Sequence, residues 1–291
     1  MQTLTAALAD SSLYVQHRAA ETLGRLGLAT PAAVSALKKL QSTSTNELCV
    51  VAASAALWDL QKDASQVLAP VMRVLKNQLN QPLVPFPGVG SGGQGVTEAD
   101  QLFMAAGEMF RKMDLRETEK SEVLSMLDLW CDRSGRIFIR MLLLPAMMDL
   151  AFPGEKCIEV CRTGLDQNED YYRIQAARLL VSVIERYPEN QVDLDRLIHD
   201  REVGVRVYAA TIHWRKNKQA SAVVPVLIEI LNRAKHQSYY YDREILPAAL
   251  RALAEIGPEA QEAAEQLEKI TKDPNLTIAT LATGALGRIR K

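Results

Sequence analysis

Eight times along the chain one thirteen-residue motif returns, beginning at residues 15, 49, 102, 139, 172, 205, 245 and 278. The clearest copies are VQHRAAETLGRLG at 15–27, YRIQAARLLVSVI at 172–184, VRVYAATIHWRKN at 205–217, ILPAALRALAEIG at 245–257 and IATLATGALGRIR at 278–290. CVVAASAALWDLQ at 49–61, LFMAAGEMFRKMD at 102–114 and IRMLLLPAMMDLA at 139–151 are more worn. A unit of about 33 residues therefore recurs with two insertions, and such a period belongs to stacked supersecondary units that bury a core only by packing on their neighbours.

Apolar residues at places one, five, eight and twelve of the motif form one stripe on a helix of about 3.6 residues per turn, so each copy predicts a helix. The small pairs Ala19 and Ala20, Ala176 and Ala177, and Ala209 and Ala210 let a neighbouring helix approach closely. A second apolar-periodic stretch precedes most copies, as in PAAVSALKKL at 31–40, SQVLAPVMRVLKNQL at 65–79, SEVLSMLDLWC at 121–131 and SAVVPVLIEILNR at 221–233. The repeating unit is thus helix, turn, helix, with Pro70 and Pro225 predicted to bend two of the first helices. Asp10, Asp200 and Asp273 fall in the turn six residues before the second place, where a carboxylate can accept from helix-start amides. Arg140, Arg173 and Arg206 occupy that second place, and Asp200 is spaced to meet Arg206 or the arginine of the next unit.

This turn Asp with an Arg six residues on resembles the HEAT repeats, of the kind also found in phycobilisome (PBS) lyases, where the two residues form a ladder between neighbours. The resemblance implies an all-α, right-handed α-solenoid of about eight helix pairs, a single repeat domain over 1–291 with insertions at 80–97 and 234–244. Gln16, Val50, Phe103, Leu246 and Ala279 replace the Arg, and Thr97, Ser134, Gln167 and Tyr240 replace the Asp. The ladder is accordingly expected only at 200–206 and its immediate neighbours. The repeats are also similar to the helical tails of some bacterial sulfatases. The chain begins two or three residues before its first expected helix and stops on its last, with no polar cap of the kind that closes the ends of repeat stacks, which predicts a piece of a longer protein: cytoplasmic if complete, exported if it is the tail of a secreted hydrolase.

A net charge of −1 argues against a broad nucleic-acid surface, because that binding is driven by phosphate neutralisation. Met1 to Leu8 lacks the charged and apolar segments of a secretory signal, and the longest apolar stretch, 137–152, is cut by Arg140 and Asp149. Cys157 and Cys161 lie four apart on one helix face with no His or third Cys near them, so buried thiols are favoured over a metal site.

Residues 80–97 carry three prolines and five glycines and cannot continue a helix. Gly90 to Gly95 reads G-x-G-x-x-G, but no strand precedes it, so a mobile linker is expected rather than a phosphate cradle. The second insertion places Tyr239, Tyr240 and Tyr241 in a turn with His236, and tyrosines concentrate where partners bind. Trp58 and Trp214 share the tenth motif place as gap fillers. Tyr208, His213, Trp214 and Arg215 form the densest aromatic and basic group on the motif helices, the place where a partner or a small anionic ligand would sit.

No histidine is followed by Glu, which removes the His-Glu signature of HEAT-like di-iron hydroxylases; HExxH, GxSxG and the Walker lysine motif are also missing. Trp214 with Arg215 only faintly resembles the HEAT-like DNA glycosylases, and bilin lyase subunits have no sharp motif. The sequence thus predicts a non-catalytic scaffold or protein-binding module without metal or cofactor; the alternative is an accessory region of a bacterial hydrolase whose active site lies elsewhere.

Overall fold

All eight motif copies lie on helices in the computed structural model, which describes residues 2–82, 96–233 and 241–291. Contacts group the chain into two compact units, Met1–Pro153 and Gly154–Lys291. The first holds α1 (Gln2–Ala7), α2 (Leu13–Leu26), α3 (Pro31–Thr43), α4 (Glu47–Gln61), α5 (Ala64–Asn80), α6 (Glu98–Phe110), α7 (Glu117–Ser134) and α8 (Ile137–Asp149). The second holds α9 (Gly154–Leu165), α10 (Asp170–Arg186), α11 (Leu194–Ile198), α12 (Val203–Asn217), α13 (Ala220–Arg233), a π-helical turn (Tyr241–Ile245), α14 (Leu246–Ile256), a 3-10 segment (Gly257–Ala263), α15 (Ala264–Ile270) and α16 (Leu276–Ile289). Among the described residues all regular structure is helical.

The even-numbered helices carry the motif. Each packs against the helix before it and, within its unit, against the next motif helix: α2 on α4, α4 on α6 and α6 on α8, then α10 on α12, α12 on α14 and α14 on α16. Places one, five and eight face the core as their spacing requires; Cys49, Ala53 and Ala56, Ile139, Leu143 and Ala146, and Val205, Ala209 and Ile212 are all buried. The odd helices supply the larger aliphatics, among them Leu37, Leu75, Leu127, Leu227 and Leu267, each worth roughly 1.5–3 kcal/mol on full burial.

Small residues set the spacing between motif helices. A Cβ on Gly24 would lie 3.0 Å from the Ala56 Cα, one on Gly107 would lie 3.1 Å from the Ala146 Cβ, and one on Gly204 would meet Ile174 at 2.8 Å. Any side chain at Gly24 would therefore press on backbone, which cannot yield as a side chain can. Pro70 and Pro225 lie inside α5 and α13 as expected, and Pro145 is a third, inside α8.

The turn acids work differently from the expectation. Asp10, Asp200 and Asp273 do accept hydrogen bonds, but from the N–H two residues on, at Ser12, Glu202 and Asn275, each at 2.8 Å. These acceptor turns orient the N-cap residue, and Glu202 and Asn275 then cap their helices themselves. Serine does the same: Ser44 accepts from Asn46 N–H at 3.2 Å and Ser134 from Arg136 N–H at 3.5 Å. Ser134 thus keeps half of the Asp function that its sequence position suggested was lost.

The ladder also runs in the other direction. Asp200 pairs with Arg173 of the preceding motif helix, not with Arg206, which reaches Glu229 on α13 at 3.3 Å. Arg140 likewise turns to Asp132 and Asp128 on α7.

Candidate partner-binding face

On α12 the outward stripe runs Tyr208, Thr211, Arg215, three and four residues apart, while the intervening side chains point inward. Arg178 and Glu185 on α10 flank it on one side. Glu244, Arg251 and Glu255 flank it on the other. Arg178 and Glu244 pair at 3.5 Å, and Tyr208 lies among Arg178, Glu244 and Arg251. Burial pushes the Tyr208 hydroxyl above its ordinary pKa, Glu244 adds to the shift and the two arginines oppose it.

Arg215 is held from both sides. Its Nε and Nη2 donate to the Glu255 carboxylate at 2.9 and 2.8 Å, and its Nη1 pairs with Glu185. The hydrogen bonds to Glu255 dominate the upward shift of its pKa, against the opposing cost of burial. Below it a cleft of about 340 Å³ is walled by Val181, Ile184, Pro188 and Ile212, with Glu185, Arg215 and Lys216 on its lining. Lys216 closes one side by donating from Nζ to the carbonyls of Pro188 and Asn190, at 3.3 and 3.1 Å. The cleft thus has an apolar floor and a rim whose charged groups are already paired.

The structure separates the four residues that the sequence grouped on α12. Tyr208 and Arg215 face outward, whereas His213 and Trp214 are 3% and 6% exposed. His213 Nε2 stands 3.6 Å from an Asp195 carboxylate oxygen and 3.3 Å from the Asn217 amide nitrogen, and Nδ1 is buried with no hydrogen-bond partner. Trp214 lies under Lys218, whose Nζ is 4.9 Å from the ring centroid and whose backbone N–H donates to the Trp214 carbonyl at 2.9 Å. Trp58 and Lys62 repeat the arrangement at 5.2 Å and 2.8 Å. Both lysines are left-handed C-caps, with φ of 55° and 53°.

Tyr239 and Tyr240 lie outside the described residues, as do His236 and the Gly90–Gly95 run; Tyr241 is described as backbone alone, in the π-helical turn. All four cysteines are buried. Desolvation raises the Cys131 pKa to about 12 and that of Cys157 to about 11, and raises Cys161 further still, so these thiols stay protonated at neutral pH. Among the described residues no three His, Cys, Asp or Glu side chains come together as a metal site, and no helix is long and apolar enough to cross a membrane.

One polar constellation escaped the sequence reading. Asp100, fully buried, accepts from the Thr97 N–H and hydroxyl at 2.7 and 2.6 Å, from Trp130 Nε1 at 3.0 Å and from Arg136. Trp130 in turn stacks on Phe103, with centroids 4.6 Å apart. Both carboxylate oxygens are engaged, so the cluster fastens α6, α7 and α8 and offers nothing to a substrate. The Thr97-x-x-Asp100 capping box was the signal that could have located its first half.

Repeated motif helices, each packed on a preceding helix and on the next of its kind, define an all-helical repeat protein. The family model of the PBS lyase HEAT-like repeat matches residues 15–43, which span α2 and α3, and supports the HEAT-like character of the repeat. No curated protein matches the chain. The similarity to sulfatase tails finds no support in these comparisons.

Proposed function

We propose that this chain is a non-catalytic scaffold, a right-handed α-solenoid of about eight HEAT-like helix pairs that holds a protein partner on the outward face of α10, α12 and α14. The observation that carries it is the Val181–Ile184–Ile212 cleft, rimmed by the clamped Arg215, with Tyr208 on the same outward stripe of α12. Tyrosine and arginine dominate binding energy when an interface buries them, and helical repeats present extended surfaces of this kind. Tyr239, Tyr240 and Tyr241 are proposed as further contacts for the same partner. His213 and Trp214 support it from behind. A small anion near Trp214 would compete with Glu185 and Glu255 for Arg215, which favours a polypeptide as the occupant.

Affinity capture with the intact chain, compared with a Tyr208→Ala, Arg215→Glu variant, tests this. A specific partner should be retained by the parent and lost by about 10- to 100-fold in the variant, with helical circular dichroism unchanged. Equal capture by both proteins removes this face from consideration. Ester, phosphate and sulfate-ester substrates should show no turnover.

A further inference from the structure

Tyr208 stands half-buried on the outward stripe of α12, and its hydroxyl has no hydrogen-bond partner among the described residues. Three charged side chains act on that hydroxyl: Arg178 of α10, Glu244 in the π-helical turn and Arg251 of α14. Glu244 holds Arg178 at 3.5 Å. Arg251 is exposed and has no ion-pair partner among the described residues.

Donors therefore outnumber acceptors around this phenol. A guanidinium carries only N–H donors and no acceptor, and the phenol adds an O–H, whereas Glu244 alone among the three brings carboxylate oxygens. Two arginines against one glutamate also leave a single positive charge at neutral pH. A group that accepts without donating and carries one negative charge completes both balances, and a carboxylate is such a group.

Further along α12 the donors are already spent. Thr211 gives its hydroxyl to the Val207 carbonyl at 2.9 Å, and Arg215 is taken up by Glu185 and Glu255, which would repel a second anion. What that end offers instead is the apolar cleft. Its wall residue Ile212 lies one turn, about 6 Å, along the helix from Tyr208. Side chains two places apart in an extended segment, or four apart on a helix, point the same way across about 6–7 Å. One partner segment can therefore bring an acid to Tyr208 and an apolar side chain to the cleft.

We infer that Tyr208, Arg178 and Arg251 receive the carboxylate of an Asp or Glu side chain of the partner polypeptide, while an apolar side chain of the same segment enters the Val181–Ile184–Ile212 cleft. This rests on the partner-binding reading of the α10, α12 and α14 face and specifies the chemistry that the partner brings. A dianionic phosphoryl group fits less well, because its second charge would go unmatched beside Glu244.

The probes are peptides selected from a displayed random library on the intact chain, made synthetically with a fluorophore and titrated by anisotropy. Those whose binding is lost on the Tyr208→Ala, Arg215→Glu variant report on this face. They are expected to carry an Asp or Glu near an apolar residue, and to bind about tenfold more weakly to Arg251→Glu. A peptide with Lys in place of its acid should lose binding to the parent chain and recover it on Arg251→Glu. Tyr208→Phe keeps the ring and removes only the hydroxyl, so a severalfold loss there reports on the site even if Arg251→Glu disturbs α14, which circular dichroism checks. Face-dependent peptides without an acid, or with binding indifferent to both Arg251→Glu and Tyr208→Phe, overturn this inference and leave the partner-binding reading standing. Tighter binding when phosphoserine replaces the acid overturns the assignment to a carboxylate. If no selected peptide depends on the face, both readings fall.

Discussion

The guanidinium of Arg173 on α10 reaches forward to the carboxylate of Asp200 in the turn before α12, with both side chains close to nine-tenths buried. Arg173 also donates from Nη1 to the Leu165 carbonyl, so one side chain ties three consecutive segments. Asp200 meanwhile accepts the Glu202 N–H with its other oxygen. It is the one place among the described residues where a turn acid serves its own helix start and a neighbouring arginine together.

Those two roles can be separated by substitution. Asp200→Ala should cost about 3–5 kcal/mol, because it removes the turn acceptor and strands a largely buried guanidinium. Asp200→Ser should keep the turn, as Ser44 does, and cost about 1 kcal/mol less, in line with one retained hydrogen bond. Urea unfolding of both variants checks the order, and equal losses would show that the turn bond contributes nothing.

The Asp100 cluster should divide in a similar way. Asp100→Ala leaves Arg136 and Trp130 Nε1 without their buried acceptor and should lower stability by about 3–5 kcal/mol. Trp130→Phe keeps a ring against Phe103 and removes only one donor, for a cost of about 1–2 kcal/mol plus the lost ring area. Chemical denaturation followed by circular dichroism measures both.

Lys62 and Lys218 sit in a conformation that costs an ordinary L-residue roughly 1–2 kcal/mol and costs glycine almost nothing. Each also gains about 0.5–1 kcal/mol from its place over an indole. Replacement of Lys218 by Gly should therefore be neutral or raise the melting temperature, whereas replacement by Ala keeps the strain, loses the cation and should lower it. The same order should hold at Lys62, and a Gly variant less stable than the Ala variant would contradict the balance.

Buried thiols give a pH dependence of definite sign. Cys131 and Cys157 ionise near 12 and 11 in the folded chain against an ordinary 9.0, so above pH 9 the unfolded state releases protons that the folded state keeps. Stability should be unaffected by these groups below pH 9 and fall between pH 9 and 12. At pH 8 native protein should resist a thiol reagent until denaturant is added. Denaturation midpoints across that range, compared with a Cys131→Ala, Cys157→Ala variant, isolate the effect.

A single domain over 1–291 implies that reporters in the two compact units lose structure together. Fluorescence of Trp214 in a Trp58→Phe, Trp130→Phe background should give the same midpoint as Trp58 and Trp130 in a Trp214→Phe background. Two separated midpoints would make the units independent folding domains.

The helices were legible because their signal is local: apolar residues at places one, five, eight and twelve specify a helix and its buried stripe together. Turn acids were legible too, since Asp10, Asp200 and Asp273 act within two residues of themselves. Partners distant in the chain were not. Asp100 and Arg136 are 36 residues apart and meet only once α6 and α8 pack, and nothing local told Arg206 to choose Glu229 over Asp200. On α12 the residue types that favour binding were visible, but Tyr208 and His213 differ by five positions, half a turn out of phase, so one faces out and the other in.

The serines at 44 and 134 bear on how such a chain tolerates change. Because a hydroxyl suffices to start the next helix, a repeat can drop its acid, and with it the link to a neighbour, without losing its own beginning. Sequence drift in this lineage is therefore expected to erase connections between repeats before it erases repeats, leaving helix boundaries readable long after the residues that once joined them have diverged.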